Sequence, residues 1–295
     1  MNATTSRPVT VGTDGSDDAL RAVDWAADEA VERGARLRVV HASRWAHYEG
    51  QLPSATSQRS AEEVLAQHYV ASAEERARVR QPGLTVSGEV LADDPVTAFV
   101  AESDRCLAIV LGHRGRGELA GLLLGSVGLQ VAARARCPVV VVRGHGAGGA
   151  DELSEVVVGV GERGTGSAAV TFAFEEAAAR GCAVTAIHAW RVPSHQMPTA
   201  HTGQLDDARQ SCRADAEGWM EIALRAVSER HPEVKARQAV VEGGARRELL
   251  AVSRDASLLV VGARRRGGGA GLQLGPVNHA LLHHAQCPVA VVPER

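Results

Sequence analysis

A chain of 295 residues, 45% hydrophobic and 23% charged, has enough apolar side chains to fill one large or two medium cores. Its formal net charge of −3 and pI near 6.5 give no basic excess for nucleic acid, and no apolar run approaches the roughly 18 residues of a membrane span. Residues 1–7 are polar and lack the apolar stretch of a secretory signal, and the five cysteines are odd in number without metal-ligand spacing. These features predict a cytoplasmic protein with reduced thiols and with neither nucleic acid nor membrane as partner. Cys106, Cys137, Cys182 and Cys287 flank apolar runs and read as small core residues, while Cys212 lies in a polar helical context.

In chain order, a strand over 8–13 leads to a helix over 17–33, where Ala19, Leu20, Val23, Ala27, Ala30 and Val31 recur at helical spacing. A strand over 36–42 follows, then a long loop over 43–59 and a helix over 60–80. The first half closes with strand 84–91, helix 95–104, strand 107–112, a glycine-rich loop, helix 126–135 and strand 138–143. Continuous apolar strands alternating with helices predict an α/β fold, a doubly wound parallel sheet covered on both faces. Such sheets bind ligands at the carboxyl ends of their strands, beside the topological switch point.

The stretch from Gly112 to Val127 concentrates the chemistry. It reads Gly112-His113-Arg114-Gly115, nine residues, then Gly125-Ser126-Val127. Glycines therefore sit where a buried strand ends and where a helix begins. Without a Cβ they let phosphate and ribose approach the backbone, and a helix N-terminus offers N–H groups to an anion. The chain's single lysine, Lys235, lies far from this loop, so the layout is not of the Walker type.

G-x2-G-x9-G-S after an apolar strand resembles the ATP-binding signature of the universal stress protein family. Pro8-Val9-Thr10-Val11-Gly12-Thr13-Asp14-Gly15-Ser16 resembles the family's opening strand, which ends in an aspartate. Cys137-Pro138-Val139-Val140-Val141-Val142 resembles its closing strand. The resemblance implies an adenine nucleotide α-hydrolase-like sheet of order 3-2-1-4-5, with ATP across the ends of the first and fourth strands. It implies cofactor contacts from Gly12, Thr13, Asp14, Val40, Gly112, His113, Arg114, Gly115, Gly125, Ser126 and Val127. Mg²⁺ would accompany ATP, held mainly by phosphate oxygens and water. On the residues alone, Asp14, Ser16 or Asp17 equally suits a helix cap, Ser126 suits both cap and phosphate ligand, and Val40 suits plain sheet core.

The pattern occurs twice. Gly12 to Gly34 matches Gly159 to Gly181 at a constant offset of 147, and Glu29-Ala30 and His41-Ala42 fall on Glu176-Ala177 and His188-Ala189. Later the offset is 150: Gly112 matches Gly262, Gly125 matches Gly275, and Cys137-Pro138 matches Cys287-Pro288. Two tandem domains are predicted, over 1–145 and 153–295, joined through Gly144-His145-Gly146-Ala147-Gly148-Gly149-Ala150. The second copy has Gly161 for Asp14, Arg265 for Gly115 and Pro276 for Ser126, which remove an acceptor, a close-approach glycine and a donor. It reads as a degenerate site. In the resembled family the closing strand pairs across a dimer interface, which implies an intrachain pseudo-dimer and leaves a further homodimer open.

The functional expectation is an ATP-binding stress-response protein, a nucleotide-dependent sensor or regulator. No hydrolytic set is evident, so catalysis is at most slow ATP hydrolysis. Two alternatives stand beside it: an α-hydrolase-like enzyme with slow ATPase or adenylating activity, and a non-nucleotide interaction module.

Overall fold

The computed structural model describes residues 7–43, 61–115, 125–143, 155–161, 167–193, 202–264 and 274–294. They form two compact units, one from each half of the chain. The first contains β1 (Val9–Gly12), α1 (Asp17–Glu32), β2 (Leu37–Ala42), α2 (Ala61–Arg80), β3 (Val86–Leu91), α3 (Pro95–Glu102), β4 (Ala108–Gly112), α4 (Ser126–Arg134) and β5 (Val139–Val142). The second contains β6 (Glu155–Gly159), α5 (Ser167–Arg180), β7 (Val184–Trp190), α6 (Thr202–Arg230), β8 (Ala236–Glu242), α7 (Ala245–Val252), β9 (Ala256–Arg264), α8 (Pro276–His284) and β10 (Val289–Glu294).

Within the first unit the strands run parallel in the order β3-β2-β1-β4-β5. Within the second the equivalent strands run parallel in the order β8-β7-β6-β9-β10. Both are the 3-2-1-4-5 order. The central strands are covered on both faces, so Val9, Val11, Ile109, Val110, Val139, Val140 and Val141 are all fully buried. Each such side chain contributes about 1.5–3 kcal/mol, which makes these runs the principal source of stability.

Helix α1 shows how local sequence sets an element's bounds. The Ser16 hydroxyl accepts from the Ala19 N–H at 3.3 Å, and Asp17 and Asp18 favour the positive end of the helix dipole. The helix ends at Glu32 with Arg33 as its C-cap, and Gly34 just beyond takes the left-handed φ of +58° that a glycine tolerates. Ala19, Val23, Ala27 and Ala30 face the core as their spacing predicts. Val31 does not: it is exposed, because it falls on the solvent flank of the last turn. Arg76 and Arg80 of α2 grip Asp24 and Asp28 of α1, fixing how the two helices pack.

Candidate functional site

The crossover from β1 runs to β2, on one side of the sheet order, and that from β4 runs to β5, on the other. The carboxyl ends of β1 and β4 therefore flank the switch point. Beyond β1 the chain turns at once. Asp14 Oδ1 accepts from both the N–H of Ser16, at 3.0 Å, and its hydroxyl, at 2.6 Å, while Gly15 takes a φ of +74°. The helix cap is thus Ser16, and Asp14 shapes the turn that delivers it. Thr13 is buried, and its N–H donates to the Val40 carbonyl at 2.9 Å. The Val40 side chain is fully buried in the sheet core.

Beyond β4 the glycines serve different needs. A Cβ on Gly112 would meet the Asp18 carbonyl carbon at 2.6 Å and the Ala19 nitrogen at 2.8 Å, so Gly112 lets the first turn of α1 pack against β4. Gly12 plays a similar packing part beneath Leu111 and Phe99. Gly115 is exposed, and its Cβ would lie 2.5 Å from Asp14 Oδ2. Here the loop backbone lies directly against the aspartate across the switch point. His113 braces the loop: its N–H donates to Val142 O at 3.1 Å, and its carbonyl accepts from Gly125 N at 2.8 Å. Arg114 is exposed beside it.

The His113 ring is enclosed, with Nδ1 3.0 Å from Asp18 Oδ2, but the two are not aligned as a hydrogen bond. Burial, followed by the charges of Arg143, Arg114 and Arg21, pushes its pKa down to about 4. The ring is neutral near pH 7. Helix α4 starts here. Its N-cap is Gly125, without any side-chain cap, and Ser126 is the exposed first helical residue. The expected capping role of the Ser126 hydroxyl is therefore not seen, because Gly125 has no Cβ and adopts the extended cap conformation instead. The N–H groups of Ser126 and Val127 meet no acceptor among the described residues. The nine residues between Gly115 and Gly125 lie outside the described residues.

The universal stress protein family model matches the chain twice, over residues 5–143 and 153–293. The chain belongs to the universal stress protein family. Universal stress protein Rv2005c of Mycobacterium tuberculosis is 33% identical over 294 residues, covering 96% of each chain. Universal stress protein Rv1996 of the same organism is 30% identical over 312 residues, 97% of this chain and 95% of its own. A solved universal stress protein from Archaeoglobus fulgidus shares the fold, with a TM-score of 0.68 at 18% identity and 98% of both chains covered.

The second universal stress protein copy keeps the scaffold and changes the site. Val160 N donates to Ile187 O at 2.8 Å, as Thr13 N does to Val40 O. Gly161 stands exposed at the position of Asp14 and brings no carboxylate. Gly275 again caps the last helix of the unit, but Pro276 is its first residue and has no N–H. Beside Gly262, at the position of Gly112, lies the Glu294 carboxylate, which accepts from Ala169 N at 3.2 Å at the start of α5. Arg265 lies outside the described residues.

The sequence reading passed over His41 and Tyr69. His41 Nδ1 bonds the Thr13 carbonyl at 2.7 Å, and Tyr69 packs edge-on against its ring. The signal was present in the repeat, where His41-Ala42 falls on His188-Ala189. Tyr69 carried none, since it lies on a helix distant in sequence. Asp18 and Arg143 were likewise missed as neighbours of His113.

Proposed function

We propose that the first universal stress protein unit binds ATP and that the chain acts as a nucleotide-dependent sensor or regulator in a stress response. The observation that carries this reading is the pairing of two features across the switch point. One is the start of α4, where the Ser126 and Val127 N–H groups lack acceptors. The other is Gly115, closed against Asp14. A polyphosphate at the helix start would gain charge-assisted hydrogen bonds of about 1.5–3 kcal/mol each. A ribose or base edge would lie toward Asp14 and Thr13.

Among the described residues no group of three His, Cys, Asp or Glu side chains is placed to hold a metal ion. Mg²⁺ accompanying ATP would be bound chiefly through the nucleotide's phosphates and water. The reading assigns the second unit a supporting role in a tandem pseudo-dimer. No helix among the described residues is long and apolar enough to cross a membrane. Calorimetric titration with ATP, ADP, AMP and cyclic AMP tests the proposal. ATP should bind most tightly, and equal affinity for ATP and AMP would remove the phosphate cradle.

A further inference from the structure

The opposite end of the first sheet carries chemistry that nucleotide binding does not use. Cys106 precedes β4 and Cys137 precedes β5, and their Sγ atoms lie 3.5 Å apart. Both residues are buried, at 1% and 6% exposure. The loops that present them are already fixed to one another. The Ser103 hydroxyl accepts from the Arg136 N–H at 3.0 Å, Arg136 pairs with Asp104, and Ile109 N donates to Pro138 O at 3.0 Å.

We propose that Cys106 and Cys137 form a two-electron redox site, closing to an intrachain disulfide on reaction with a small hydroperoxide and reopening with a dithiol. The Cys106 thiolate attacks one peroxide oxygen; the O–O bond breaks, and the other oxygen leaves as water after protonation. The resulting sulfenic acid is attacked by the Cys137 sulfur. The S–S bond forms, the S–O bond breaks, and the second oxygen departs as water carrying the Cys137 proton. In sum, two thiols and one hydrogen peroxide give one disulfide and two waters. Reduction returns two electrons through thiol exchange.

The surroundings distinguish the two sulfurs. A hydrogen bond from Cys137 holds the Cys106 thiol below its ordinary pKa, while that same bond and burial push Cys137 up, so Cys106 is the group that ionises first. The Thr10 hydroxyl faces Cys106 as well. It is fully buried, has no hydrogen-bond partner among the described residues, and is free to turn its proton toward a thiolate. Burial restricts the oxidant to a small molecule. It also keeps a sulfenic acid at Cys106 next to its resolving thiol and away from other partners.

The second unit supplies an internal control. It keeps the brace, with Gln286 N donating to the Ser253 hydroxyl at 3.1 Å, and it keeps the buried Cys287. At the positions of Cys106 and Thr10, however, it has Ala256 and Val157. The scaffold therefore stands without either the second thiol or the hydroxyl. The pair in the first unit is an addition to the fold rather than a requirement of it.

The test treats the folded full-length chain with hydrogen peroxide, then denatures it, blocks remaining thiols by alkylation and maps tryptic peptides without reduction. Cleavage at Arg105, Arg114, Arg136 and Arg143 isolates peptides 106–114 and 137–143. The expected result is these two peptides linked, two of the five thiols lost, a chain that stays monomeric in non-reducing electrophoresis, and full reversal by dithiothreitol. Cys106→Ala, which copies Ala256, should retain the circular dichroism of the parent and lose the linked species at least tenfold. In Cys137→Ser the Cys106 sulfenic acid should persist and be trapped by dimedone. Both thiols becoming alkylatable when the peroxide-treated chain is denatured would overturn the proposal. So would a link to Cys182, Cys212 or Cys287, or Cys106 passing to sulfinic acid with Cys137 still free.

Discussion

The Nδ1 atom of His41 stands 2.7 Å from the Thr13 carbonyl oxygen, latching the end of β2 to the residue that follows β1. A carbonyl only accepts, so Nδ1 carries the proton. The relationship recurs between His188 and Val160, at 2.9 Å, with Trp219 edge-on to the ring where the first unit has Tyr69. Both units thus carry the latch, whereas the second has Gly161 at the position of the adjacent Asp14. The latch serves the fold in both units and positions Asp14 in only one.

Replacing the two histidines separates those roles. His41→Ala and His188→Ala should each cost about 1 kcal/mol or more of stability, from a lost hydrogen bond, part-buried at His41 and buried at His188, and an aromatic contact. His41→Ala should also weaken ATP binding roughly fivefold, about 1 kcal/mol, by loosening the Thr13-Asp14 turn. His188→Ala should leave ATP affinity unchanged. Melting temperatures and ATP titrations of the two variants check this. Equal effects on ATP would mean that the latch does not act through Asp14.

Gly112 and Gly115 should respond in opposite ways to the same added methyl. At Gly112 a Cβ meets main-chain atoms of Asp18 and Ala19, which cannot yield without moving α1. Gly112→Ala should lower stability by about 1–3 kcal/mol, the range for overpacking a tight interior. At Gly115 the Cβ meets only the Asp14 carboxylate, a side-chain end that can swing aside. Gly115→Ala should leave melting nearly unchanged and weaken ATP binding at least tenfold, because Asp14 is displaced. A large melting shift for Gly115→Ala, or intact affinity, would contradict this division.

How far the sequence reveals the molecule follows from what each signal depends on. The parallel sheets were legible because strands buried on both faces must be apolar throughout, as β4 and β5 are. The caps were only partly legible. Ser16, Asp14 and Asp17 are interchangeable in a linear reading, and only the turn, with Gly15 at positive φ, decides that Ser16 caps α1. The glycines of the motif looked equivalent, yet Gly112 answers to helix packing and Gly115 to the aspartate opposite. That difference depends on which element lies across from each. Cys106 and Cys137 are far apart in sequence, and nothing before the β4–β5 pairing brings them together. Arg143 gained significance only through the neutral His113 ring.

His113 sets a pH dependence whose direction is fixed by its environment. Its folded pKa is about 4, below the ordinary 6.5. Between those values the unfolded chain binds more protons at this residue than the folded chain. The neutral-ring contribution is therefore fully present above about pH 6.5 and is lost as pH falls toward 4. His113→Gln removes the titration. The stability of the parent relative to this variant should fall steadily from pH 7 to pH 4.5, measured as the difference in melting temperature in matched buffers. A difference that stays constant would show the ring to be no more shielded than in the unfolded chain.

The asymmetry of the two units predicts one ATP per chain. The first unit has the Asp14 carboxylate against Gly115, and the Ser126 and Val127 N–H groups at the start of α4. The second has Gly161, which brings no acceptor, and Pro276 at the first position of α8, which brings no donor. Arg265 replaces the close-approach glycine in sequence. Glu294 adds a carboxylate beside Gly262, where it accepts from the N-terminus of α5. Loss of two charge-assisted hydrogen bonds alone weakens binding by about 3–6 kcal/mol, a factor of roughly 10² to 10⁴. Titration of the full chain should therefore saturate at one ATP, and Gly115→Arg, which copies Arg265, should abolish that site and leave none. If Gly115→Arg instead retains a full equivalent of tightly bound ATP, the nucleotide resides in the second unit. Two equivalents in the parent chain would show that neither Gly161 nor Pro276 disables the copy that carries it.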